Sequence, residues 1–326
     1  MYKKLYLILI VFFCSCLVGC GNLYVNYTKS AEIIEISKND SSYELKLVVK
    51  EKSGEDVKIE KAIVSVEGED IRSCFEKLHS TEYENIVFSS AQYIILNGIS
   101  SKSQIRSICT DLSKMKEISP KSYVYLTITD VINDNTRDVL QSKLKNIQNV
   151  NFAQGNELYI VSSNSVKNDG IVAIPIITTE KENIYSKYVG VCEEYTRFIP
   201  LDDFKLICDR CYKFKPFTII LDDSLIDVKR MNISSNIIEE RGSKKLRVNV
   251  SPFCFIRENI ENDEMRKVKS ELEDYIKKKF FYYIDEENTE LSLYNMLNFW
   301  NTDRKFLDEK DSIDYQINVN TDLIFS

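Results

Sequence analysis

The chain has 326 residues, with 43 lysines and arginines, 50 aspartates and glutamates and a single histidine, for a formal net charge of −7. That length exceeds what one apolar core usually fills, and a hydrophobic fraction of 44% excludes wholesale disorder. The acidic excess argues against nucleic-acid binding, which needs a basic face, and a lone imidazole argues against histidine-rich metal sites and leaves His79 as the single candidate for any serine–histidine triad or cysteine–histidine dyad. Composition points to a globular, non-catalytic protein with no cofactor.

Residues 1–20, MYKKLYLILIVFFCSCLVGC, carry an export pattern. Lys3 and Lys4 make a basic start, and residues 7–13 are an uncharged apolar run too short to span ~30 Å of hydrocarbon. Leu17-Val18-Gly19-Cys20 then matches a bacterial lipobox, in which cleavage precedes the cysteine and its thiol receives diacylglycerol. Cys20 is therefore the expected lipid-attachment residue, with residues 1–19 a lipoprotein signal peptide and residues 20–30 a lipidated tether. Removing the two signal lysines leaves 41 basic against 50 acidic side chains, net −9. Two acyl chains, at about 0.8 kcal/mol per buried CH₂, suffice for a stable membrane tether. The body is expected on the outer face of the cytoplasmic membrane.

Beyond the tether, strand-like and helix-like segments alternate. Residues 31–36 and 43–49 are β-rich runs around a polar turn, and residues 57–66 are a third extended segment. Residues 70–78 place Ile71, Cys74, Phe75 and Leu78 at helical spacing, with His79 closing that helix near its terminal carbonyls. Tyr93-Ile94-Ile95-Leu96 is continuously apolar, as in a strand covered on both faces. Ser103 is the expected N-cap of a helix carrying Ile105, Ile108, Cys109, Leu112 and Met115. A strand over 123–129 and a helix over 136–147 follow. Pro175 demotes the apolar run 171–177 to an edge or linking strand.

These segments predict a mixed α/β or α+β, multidomain fold, with mixed sheets each packed with helices. An N-terminal α/β domain is expected over 31–170 and a C-terminal one over 180–326, with the junction between about 165 and 183. The second domain opens with strands 185–192 and 195–199, then a helix over 201–214. It continues with strands at 217–221, 246–250 and 253–256 and a long charged helix over 263–284. The alternating stretch 314–325 is its closing, half-buried strand.

Few constellations carry chemistry. After the signal and Cys20 are set aside, six cysteines remain, and Cys208-Asp209-Arg210-Cys211 is the only C-x-x-C. Its expected position late in a helix suits buried small hydrophobes better than a redox pair, and no second ligand pair completes a zinc site. Adjacent acids at 193–194, 202–203, 222–223 and 286–287 read as solvated, and Trp300 as a core or edge residue. No glycine-rich nucleotide cradle is written in the loops. Catalytic, cofactor-binding and metal-ligating residues are expected to be absent.

Cys20, the hairpin over 31–49, Val64-Ser-Val-Glu-Gly-Glu-Asp70 with its helix, the strands over 85–96 and 120–129, residues 246–258, the helix over 264–284 and Trp300 before the closing strand form a collinear series. In that order the chain resembles the C-subunit lipoproteins of nutrient germinant receptors in spore-forming bacteria, the GerC type. It departs from the family at Gly21-Asn22-Leu23-Tyr24, where a Trp-Asp-Arg-type motif is usual, and at Ser89 and Ser90, where a histidine is common. The resemblance is to a divergent member. It implies a non-catalytic subunit at the inner spore membrane, anchored through diacylglycerol on Cys20 beside membrane A-type and B-type subunits and required for spore germination. The alternative that fits the same leader is a lipid-anchored solute-binding protein of a transporter.

Overall fold

The computed structural model describes residues 29–39, 41–53, 58–81, 85–167, 172–180, 183–208, 213–222, 224–240, 243–257, 260–284 and 314–325. Cys20, Cys211, Trp300 and the acids at 286–287 lie outside the described residues.

β1 (Lys29–Lys38), β2 (Tyr43–Ser53) and β3 (Lys58–Gly68) form an antiparallel meander. The first strand takes in the end of the expected tether. α1 (Ile71–His79) buries Ile71, Cys74, Phe75 and Leu78, as its spacing requires. β4 (Ile86–Val87) and β5 (Tyr93–Asn97) then run parallel to β1. α2 (Lys102–Lys114), β6 (Tyr123–Thr127), α3 (Leu140–Asn151), β7 (Phe152–Gln154) and α4 (Leu158–Val166) lead to β8 (Val172–Glu180), β9 (Asn183–Cys192) and β10 (Thr196–Pro200). Together they make one nine-stranded sheet in the order β10-β9-β8-β6-β5-β1-β2-β3, with β4 also on β1. Its middle is parallel and both wings are antiparallel.

The sheet has helices on both faces because its central strands are apolar on both. In β5, Ile94 and Leu96 enter the core under α1, α2 and α4, while Tyr93 and Ile95 enter the core beneath α3. A period of two sends alternate residues to opposite layers.

α5 (Leu201–Ile207) and β11 (Lys213–Phe214) connect to the second sheet. Its strands are β12 (Phe217–Leu221), β13 (Ser224–Glu240), β14 (Ser243–Ile256), β15 (Asp314–Val319) and β16 (Asp322–Phe325). β15 and β16 both pair parallel with β14. α6 (Asn262–Ile284) buries Val268, Leu272, Ile276, Phe280 and Tyr283 against this sheet. The fold is α+β, with two mixed sheets and their helices. Leu144 of α3, Phe204 of α5 and Val250 of β14 belong to one continuous apolar cluster, so the two bodies share a core.

Several expectations change here. The first sheet runs to Pro200 rather than stopping near residue 170, because β8, β9 and β10 are hydrogen-bonded into it. Pro175 lies in an interior strand, not an edge. The sheet accommodates the missing N–H because pairing between β6 and β8 is reduced to Leu126 with Ile176. The expected helix over 201–214 stops at Ile207, and Lys213–Phe214 is instead a short strand paired with β7. The helix expected over 136–147 begins at Leu140 and continues to Asn151. α4 escaped notice because its apolar residues do not fall on one stripe.

The N-cap of α2 is Ser101, not Ser103. The Ser101 hydroxyl accepts from the Gln104 N–H at 3.3 Å, and the Gln104 side chain accepts from the Ser101 N–H at 3.2 Å. This reciprocal box satisfies two otherwise orphaned donors. Ser101→Ala is expected to cost about 1 kcal/mol in a denaturant melt, whereas Ser103→Ala stays within roughly 0.5 kcal/mol of the parent.

Candidate functional site

The residues singled out by sequence occupy mostly structural positions. His79 ends α1, with its Nε2 3.8 Å from Glu117 and its ring edge-on to Phe88. Cys74, Cys109, Cys192, Cys208 and Cys254 are all buried. Burial pushes Cys109, Cys192 and Cys254 up to about 12, which suppresses the reactive thiolate. Cys208 caps the short α5 rather than lying within a longer helix.

Of the paired acids, Asp203 is not solvated. It sits buried on α5, pairs with Lys279 of α6 at 2.8 Å and accepts from the Tyr283 hydroxyl at 2.8 Å. That pair ties the first body's last helix to the second body's long one. Nothing in the Leu201–Ile207 sequence announces a partner 76 residues away.

Two further clusters went unnoticed in the sequence. The first lies where the parallel strands β1, β5 and β6 end, the place where open α/β sheets usually hold ligands. Glu35 of β1 is fully buried, and one carboxylate oxygen accepts from the Asn97 amide at 3.0 Å. The other accepts from the Ile132 N–H at 2.9 Å. The Asn97 amide also donates to Asp130 at 2.9 Å, and Lys46 reaches Asp130 at 3.5 Å and Glu44 at 3.3 Å. Burial raises the Glu35 pKa above the ordinary carboxylate value, opposed by the Ile132 N–H and by Lys46. Both oxygens are held by internal donors, so Glu35 has the geometry of a clamp. It pins the segment that follows β6 and delivers α3 to the sheet. The signal available in the sequence was a charge inside the apolar run Ile33-Ile34-Glu35-Ile36.

The second cluster is a pocket of about 290 Å³ where the end of α5, β11, the start of β12 and the middle of β13 converge. It is lined by Lys205, Lys213, Lys215, Lys229 and Arg230, with Cys208, Phe214, Phe217, Val228 and Met231 as the apolar part. Of these ten described lining residues five are cationic and none is acidic. Lys205 is the inner one, with only 6% of its side chain exposed. Its ammonium donates to the Asn151 side-chain oxygen at 3.1 Å, lies 3.5 Å from Asp202 and sits 5.5 Å from the Phe217 ring centre. Burial lowers the Lys205 pKa below the ordinary lysine value, against the pull of Asp202. Lys213, Lys215, Lys229 and Arg230 form the exposed rim.

A bulge in β13 builds one wall. Val228 pairs with Cys254 and Arg230 with Phe253, which leaves Lys229 as the extra residue. In a regular strand Val228, Lys229, Arg230 and Met231 would point alternately to opposite faces. The bulge re-aims them so that all four line the pocket. It also explains why β13 was not expected: its apolar positions shift from 226 and 228 to 231 and 233, which erases the period of two. Among the described residues, no group of histidine, cysteine and acidic side chains has the arrangement of a metal site.

No family model matches the chain, and no curated protein sequence aligns with it at significance. A similarity to a solved structure, described as "Crystal Structure of the GerBC protein", covers 89% of this chain and 96% of that one, at 12% identity and a TM-score of 0.46.

Proposed function

We propose that this chain is a membrane-anchored lipoprotein acting as the non-catalytic C-type subunit of a nutrient germinant receptor. It is held by diacylglycerol on Cys20 at the outer face of the cytoplasmic membrane, which becomes the inner membrane of the spore. Its work is protein–protein contact with membrane A- and B-type subunits. The observation that carries the reading is the basic, apolar, Leu17-Val18-Gly19-Cys20 leader ahead of a body whose segments follow the order of that family. A lipid tether confines the body to two dimensions and raises its effective concentration for membrane partners without any new contact.

The test is recovery of the tagged full chain from sporulating cells. The parent is expected in the membrane fraction, carrying the mass of a diacylglycerol on Cys20 and co-purifying with A- and B-type subunits. Cys20→Ala should retain the signal, lose the lipid and abolish that co-purification. Recovery with a transporter permease, and with no A- or B-type subunit, would instead establish the solute-binding alternative. The cationic pocket is the feature that favours this second reading.

A further inference from the structure

The pocket beside α5 concentrates positive charge on a chain whose net charge is −7. Among the described residues Lys213, Lys215 and Arg230 make no ion pair, and Lys229 is shared with Asp227 at 3.7 Å. Like charges gathered around a partly apolar floor repel one another, and water screens the exposed rim more than the buried Lys205. A group of opposite charge relieves the repulsion.

Lys205 makes the argument specific. A lysine side chain 94% hidden from solvent is uncommon unless paired, and the carboxylate it pairs with, Asp202, is 3.5 Å away and has 84% of its own side chain in water. The Lys205 ammonium is also oriented by a neutral amide oxygen, that of Asn151, whose side-chain N–H donates to the Ile147 carbonyl. Asn151 also accepts at its backbone oxygen from the Lys215 N–H at 3.2 Å, so one residue positions both an inner and a rim lysine. The β13 bulge adds Lys229 and Arg230 to the same space. Independent elements thus aim cations at one compact volume.

We infer that this pocket is a binding site for a small organic anion, one phosphate or carboxylate group joined to a compact apolar or aromatic portion. The anionic group meets Lys205 and the rim cations, and the apolar portion meets Phe214, Phe217 and Met231. The volume suits a compact molecule and excludes an extended chain. The same head-group chemistry occurs in anionic lipids, and the test separates the two sources. This inference is independent of the germinant-receptor reading, because it concerns binding by the purified chain alone.

The experiment titrates the full chain, in a neutral detergent and at constant ionic strength, with phenyl phosphate, inorganic phosphate and phosphatidylglycerol vesicles. Phenyl phosphate should bind saturably and more tightly than inorganic phosphate. The double variant Lys213→Glu, Lys215→Glu should weaken it by at least about tenfold, the scale of one lost charged hydrogen bond. Lys277→Glu with Lys278→Glu, on the exposed side of α6, makes the same change in net charge and should leave binding unaltered. Lys205→Met should abolish binding without lowering the melting temperature, since it removes a buried charge. Should that variant fail to fold, the rim pair still decides the matter. Absence of saturation, equal losses in the two lysine pairs, or pocket-dependent binding of vesicles without phenyl phosphate would each overturn the inference.

Discussion

Glu35→Ala is expected to lower the unfolding free energy by about 3 kcal/mol, because it strands two buried donors, the Asn97 amide and the Ile132 N–H. No water can replace the carboxylate cheaply at a position with no exposed surface. Glu35→Gln should cost less, about 1 kcal/mol, because it keeps an acceptor for the Ile132 N–H. The pair of variants also gives a pH signature. Burial raises the Glu35 pKa, so the folded chain favours the protonated carboxyl more than the unfolded chain does. A raised pKa makes its stabilising contribution complete below the ordinary value of 4.5 and loses it as the pH climbs through the raised value. The parent's stability relative to Glu35→Gln should therefore be greatest below the ordinary value of 4.5 and fall as the pH rises through the raised value. Denaturant melts across that range measure this, and a constant difference would show that the clamp does not titrate as its burial requires.

The second large effect is expected at Phe280. This residue of α6 is wholly buried in the cluster that joins the second sheet to α3 and α5. Truncation to alanine removes a ring's worth of transfer free energy and leaves a cavity, together about 4 kcal/mol. Its neighbour Phe281 is 45% exposed on the same helix, and Phe281→Ala should stay within about 0.5 kcal/mol of the parent. Because one core serves both bodies, Phe280→Ala should also shift a probe in the first sheet. A fluorophore at exposed Ile128 would report the same unfolding midpoint as one on α6. Separate midpoints would mean that the bodies unfold independently, contrary to a shared core.

Helix α6 was legible in the sequence because its stripe from Met265 to Tyr283 recurs at helical spacing over about five turns. The alternation over 314–325 was legible for the same kind of reason, with Ile317, Thr321 and Leu323 buried, although the one closing strand it predicts is divided into β15 and β16. Long periodic patterns survive local noise. The boundary of the first body was not legible, because a strand's sequence records that it is half or wholly buried and not which sheet buries it. Pro175 misled for a related reason: proline disfavours an interior strand only in proportion to the ladder bonds that strand would otherwise make.

The one histidine, His79, ends α1 with its ring edge-on to Phe88. By itself the sequence determined the α+β class and the long amphipathic helix, and it foresaw the burial of Cys208. These depend on neighbours along the chain, through spacing, capping and composition. Only the tertiary structure decided that Glu35 is a clamp, that Asp203 meets Lys279 and Tyr283, and that five cations from α5, β11, the link to β12 and β13 share one pocket. Net charge averages over the whole surface, whereas electrostatic interaction falls with distance in space, and folding alone brings residues 205, 213, 215, 229 and 230 within reach of a single ligand.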